Sequence, residues 1–232
     1  VQISDGSTTV DLIELNFNNL ADSLKDLLLD LFQLSANEIV DFDYIIYTTP
    51  VLLGEIGKEY TLTVEKDQHL LTAVTTIPEP VIPDSIWSEH HEDPNNDSLM
   101  YYRFSFEDPP VVPNYYRFFT QRNNEPFYTN LFVSLMDDKL QNGQRVSLPL
   151  LRGSSKFDEF DPVSFGAFKV GDQVTMKFCS IDEAHYNFWS TLSTDQFSGG
   201  PFASPVNIKS NVNGGLGVWG GYGAYYYTFI VQ

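Results

Sequence analysis

Two of the chain's four histidines adjoin, in His90-His91-Glu92-Asp93 with Asp97 close behind; His69 and His185 stand apart. This cluster alone has the residue types of a transition-metal site. Its spacing argues against one. Neighbouring residues of an extended strand point to opposite faces, so both imidazoles reach a single ion only where the loop curls. No His-Glu-x-x-His arrangement occurs, and we read a solvated polar loop. Acidic groups recur at Asp137-Asp138 and at Asp158-Glu159-Phe160-Asp161. Calcium, a hard cation bound through oxygen, is the one cofactor chemistry they leave open, although the ordered spacing of an EF-hand loop is missing.

Covalent chemistry has little to work with. A Gly-x-Ser-x-Gly elbow is absent, and Ser198-Gly199-Gly200 follows a helical pattern instead of a strand. The single cysteine, Cys179, sits in the strand-like run Gln173–Cys179 beside one basic residue, Lys177, and reads as a buried, inert thiol. Many carboxylates exist, but glycosidase pairs meet in space, so spacing selects none. No catalytic residue is assigned. Aromatic residues offer a different chemistry, a platform for sugar rings. Trp87 and Tyr115 lead a set that includes Tyr101, Tyr102, Tyr116, Trp189, Trp219 and Tyr222. Adjacent aromatics on a strand alternate faces, so one ring of each pair is expected outside or at an interface.

The glycine run Gly214-Gly215-Leu216-Gly217-Val218-Trp219-Gly220-Gly221-Tyr222-Gly223 precedes the strand-like Ala224–Val231. Phosphate binding fails on context, since a Walker A loop ends in Gly-Lys-Ser/Thr and a dinucleotide fingerprint opens a helix. We read a structural turn, with Gly217 and Gly220 expected at positive φ and Trp219 and Tyr222 packed beside it.

These residues must be positioned by β-structure. Tyrosine (13) and phenylalanine (18) dominate a 232-residue chain, which suits sheet packing. Thirty-one acidic residues against 13 basic ones give a net charge of −18. Such a surface repels phosphate backbones and anionic lipid headgroups, which disfavours nucleic acid and polybasic membrane docking. The fold class read from the sequence is all-β: an N-terminally incomplete immunoglobulin-like sandwich over 1–76, then a β-rich sandwich or barrel over 77–232 with short helices. The proline-rich Ile77–Asp84 sets the boundary. Strands are expected near 1–3, 9–15, 42–49, 59–65, 69–76, 100–106, 115–120 and 173–179. One helix spans about 20–34, with Leu20, Leu24, Leu27, Leu28, Leu31 and Leu34 in a stripe and Asn18 or Asn19 as cap. A second covers about 182–192. The stripe at Leu24, Leu27, Leu28 and Leu31 is read as core or as a face docked on a partner or the neighbouring domain.

The chain resembles a family of Bacteroidota outer-membrane lipoproteins called domain of unknown function 4249. The resemblance rests on Val1–Gly6, Gly57–Val64, Thr76–Ile86, Asp108-Pro109-Pro110 to Arg117, Gly171-Asp172, Ile181-Asp182 with Tyr186, Pro201–Pro205 and Gly214–Tyr222. It implies a lipid-anchored protein at the cell surface, accessory to an outer-membrane complex of the TonB-dependent receptor type, with no catalytic residues to carry over. The lipobox cysteine and first strands are missing from this chain, so the anchor is expected outside it. The leucine helix has no counterpart in the family pattern. Carbohydrate binding or processing is the competing expectation.

Overall fold

The computed structural model describes residues 1–32, 45–90, 97–110, 113–130, 133–155, 158–197 and 206–232. Two β-rich units follow one another, and neither closes into a barrel among the described residues.

In the first unit, β1 (Gln2–Ser4) forms a hairpin with β2 (Thr9–Asp11) and pairs on its other side with β5 (Glu59–Lys66), which pairs with β6 (His69–Thr76). The Asp5 carboxylate locks the hairpin turn by accepting from the amides of Ser7 and Thr8 at 3.0 and 2.7 Å, and Lys58 Nζ lies 2.7 Å from its second oxygen. The expected continuous strand over 9–15 is broken. At Leu12 the chain leaves this sheet, and β3 (Ile13–Asn16) pairs with β4 (Ile45–Thr48) in a separate ribbon. Asn16 caps a 3-10 turn at Phe17–Asn19, so Asn18 and Asn19 lie inside that turn instead of capping the helix that follows. That helix, α1, spans Asp22–Phe32.

Residues 77–84 run extended between the units and are pinned along their length. Gly57 N donates to Ile77 O at 2.7 Å and Ile77 N to Lys58 O at 3.1 Å, Val81 N donates to Ser180 Oγ at 3.2 Å, and Asp84 N donates to Ser105 O at 2.9 Å.

The second unit is an open sandwich. One sheet has β8 (Leu99–Glu107) at its centre, with β7 (Ser85–His90) on one side and β11 (Arg145–Leu150) and β12 (Phe168–Lys169) on the other. The facing sheet runs β10 (Leu135–Asp137), β9 (Tyr115–Arg122), β13 (Gln173–Ile181), β14 (Gly223–Ile230). Period-two alternation drives Met100, Tyr102, Phe104 and Phe106 from β8 against Tyr116 and Phe118 from β9 and Val174, Met176 and Phe178 from β13. Each phenylalanine taken from water contributes about 2 kcal/mol, and edge-to-face contacts such as Phe104–Phe118 at 5.5 Å orient the rings.

The alternate residues of β9 and β13 face the other way. There α2 (Glu183–Phe197) forms a third layer, with Tyr186 packed on Tyr115 at 4.9 Å. The predicted alternation of adjacent aromatics is present, but the second ring is covered. Tyr115 is buried beneath α2 and β10, so it is no platform for a ligand, contrary to the expectation from sequence.

Candidate functional site

The glycine-rich segment lies between the two units instead of closing the second one. Asn213 exchanges two backbone hydrogen bonds with Thr72 of β6, at 3.2 and 2.8 Å. Asn211 substitutes for a strand neighbour: its side chain donates to Trp219 O at 2.6 Å and accepts from Trp219 N at 2.8 Å. Trp219 Nε1 in turn donates to Tyr60 O at 3.4 Å, across to β5.

Close approach explains the glycines better than handedness does. Gly214 has φ +83°, and a Cβ there would stand 2.6 Å from Leu70 O. Gly220 is not at positive φ, which corrects the expectation for it. A Cβ on Gly220 would lie 2.3 Å from His185 Nδ1, and one on Gly223 only 1.9 Å from Pro78 O. Gly221 sits against Ile77 in the same way, and Gly215 against Leu71.

Thr75 of β6 ties the segment to α2. Its hydroxyl donates to Asp182 Oδ2 at 2.6 Å and accepts from Gly221 N at 2.9 Å. Asp182 also caps α2, accepting from His185 N at 2.7 Å. Behind it lies a sealed cationic cluster. Arg117 is buried with its guanidinium 3.6 Å from the Trp189 ring centroid and 3.2 Å from the Tyr222 hydroxyl. Burial, and then the Arg117 charge, push His185 down to about 4, so its imidazole is neutral at ordinary pH. Burial pushes the Cys179 thiol up to about 12, and Tyr222 is raised by the same cause. The chemically richest side chains here are therefore neutral or held by aromatic rings. His185 and Cys179 are both closed off from solvent, and the cluster forms a structural lock between β9, β13 and α2.

Other sequence candidates separate widely. Side chains of the His90–Asp93 cluster lie outside the described residues. Asp137 accepts from the Tyr186 hydroxyl at 3.0 Å and pairs with Lys139 at 2.9 Å, while Asp138 is buried beside Asn114. Asp161 accepts from Ser164 Oγ at 2.5 Å and Val163 N at 3.0 Å. Among the described residues no three His, Cys, Asp or Glu side chains converge as ligands. On α1, Leu24 is exposed and Leu28 half-buried, and the side chains of Leu27 and Leu31 lie outside the described residues.

Trp87 falls where the sandwich is open. Among the described residues β7 and β14 are edge strands, each paired on one side only. Between them runs a groove of about 450 Å³, walled by Ile86, Trp87 and Tyr102 on one side and Tyr227, Phe229 and Ile230 on the other. Trp87 is 38%, Tyr227 43% and Ile230 52% exposed. The stretch from Gly223 to Val231 holds no charge and no proline. A long, uncharged, aromatic edge is what soluble proteins ordinarily avoid leaving bare. The sequence marked Trp87 but missed this face of Tyr227 and Phe229, although an uncharged terminal strand was the signal for it.

The family model described as Domain of unknown function (DUF4249) matches residues 1–227, and the chain belongs to that family. No curated protein and no solved structure matched it. No described helix is long and apolar enough to cross a membrane.

Proposed function

We propose that this chain is a non-enzymatic binding protein, a surface-exposed, lipid-anchored accessory subunit of an outer-membrane complex of the TonB-dependent receptor type. The observation that carries the binding role is the open groove between β7 and β14, uncharged along β14 and flanked by exposed Trp87 and Tyr227. Aromatic residues that expose a broad apolar face and a polar tip are enriched at protein interfaces. The neutral His185 and the raised Cys179 thiol support a role without covalent chemistry. The setting at the outer membrane follows from the family resemblance. Native purification from the membrane fraction tests the proposal, comparing wild type with Tyr227→Lys. A stoichiometric partner recovered with the first and lost with the second is the expected result. A monomer that leaves the membrane fraction alone overturns it.

The exposure of Trp87 in the same groove favours a second reading, carbohydrate binding through ring stacking. Glycan-array binding abolished by Trp87→Ala selects that reading, and silence on the array removes it.

A further inference from the structure

Backbone hydrogen bonds fix which way each amide of β14 points. Val231 N donates to Asp172 O, at the head of β13, so the odd-numbered residues of β14 turn their amides toward β13. The opposite side of β13 agrees: Asn123 N donates to Gln173 O, which places the odd residues of β13 toward β9 and its even residues toward β14. By alternation, the N–H and C=O groups of Ala224, Tyr226, Thr228 and Ile230 point away from the sheet. Among the described residues no strand pairs with that side.

We propose that β14 is a strand-addition edge, and that its occupant is an extended cationic segment of a partner protein. The proposal rests on the reading of the chain as a binding subunit and specifies how the partner engages it. Four outward residues of an eight-residue strand offer a ladder for a short incoming strand. Apolar side chains at alternate positions of that strand would enter the groove between Trp87, Tyr102, Phe229 and Ile230, while the intervening residues stay in solvent. Charge selects the occupant. At −18, two copies of this chain repel, which disfavours self-pairing of β14, whereas lysine or arginine on the solvent side of an incoming strand is drawn in.

The test uses the purified chain and a short synthetic peptide of alternating valine and lysine. Binding should slow hydrogen exchange at Ala224, Tyr226, Thr228 and Ile230 selectively. Two peptide versions, N-methylated at one or the other set of alternate amides, should differ: one loses about tenfold or more in affinity and the other keeps it. Replacing lysine by glutamate should weaken binding comparably. Thr228→Pro removes an outward N–H that the native ladder does not use and, besides it, only the exposed hydroxyl contact with Thr175, so it should stay folded and lose the peptide. Should that variant unfold, the N-methylated peptides interrogate the same bonds from the partner's side. Absence of protection at the four amides, or equal binding of both N-methylated versions, overturns strand addition. Equal binding of the glutamate peptide overturns the cationic occupant. A partner that still co-purifies with Thr228→Pro but is lost with Tyr227→Lys overturns strand addition while leaving the binding-subunit reading intact.

Discussion

The two ends of the glycine-rich C-terminal segment meet opposite fates. Up to Gly223 the chain is tied to both units, and at Gly214, Gly220 and Gly223 a single methyl group has no room beside Leu70, His185 and Pro78. After it, β14 continues as a bare edge with Tyr226 and Tyr227 in solvent. In that region polar atoms carry the specificity: Thr75 links Asp182 to Gly221, and the Asn211 side chain donates to Trp219 O and Val74 O. At the open edge, apolar rings and unpaired amides do. The segment's glycines and Tyr222 serve stability, Tyr226 and Tyr227 serve contact, and mutation should separate the two.

The largest effect is expected inside the lock. Gly223→Ala places a methyl group against Pro78 O, and one strand or the linker must move, at a cost of about 3 kcal/mol or more. Chemical denaturation checks it; a midpoint near wild type would mean the close approach relaxes freely. Next comes Asp182→Ala, which removes the α2 cap and leaves the buried Thr75 hydroxyl without its acceptor. About 2 kcal/mol should be lost, read from the same curves.

The third effect depends on pH. The folded His185 titrates near 4, below its ordinary 6.5, because burial disfavours the cation. The unfolded chain therefore takes up the proton first. The stability contributed is fully present above about pH 6.5 and is lost as pH falls toward 4. Melting temperatures measured across that window should fall less steeply for His185→Gln than for wild type. Parallel slopes would show that carboxylates, not this imidazole, govern the acid limb.

The smallest effect on stability belongs to the edge. Tyr227→Lys should shift stability by no more than about 1 kcal/mol, since Tyr227 is 43% exposed and the lysine stem can cover part of the same surface. A collapsed melt would make Tyr227 part of the core and erase the contrast between the two regions.

Much of the strand pattern was legible. The runs at 59–65, 69–76, 100–106 and 115–120 have β-branched and aromatic residues between turn signals, and each became a strand with nearly those bounds. The short β10, β11 and β12 were not read, because strands of two to six residues interrupted by Asp137, Pro149 and Lys169 carry little periodicity. The break at Leu12 did leave a trace: the apolar positions switch there from Val10 and Leu12 to Ile13 and Leu15, a one-residue slip in the alternation where the chain changes partners.

For the candidate sites, composition and local pattern determined the all-β class, the reading of Cys179 as a buried thiol, a helix starting near Asp182 and the candidacy of Trp87. Those follow from residue type and immediate neighbours. Burial of Tyr115, the mate of Gly220 and the unpaired side of β14 were decided only by the tertiary structure. Each depends on residues remote in sequence: α2 laid over the outer face of β9, His185 brought against the glycine segment, and a sheet in which, among the described residues, no strand lies beyond β14.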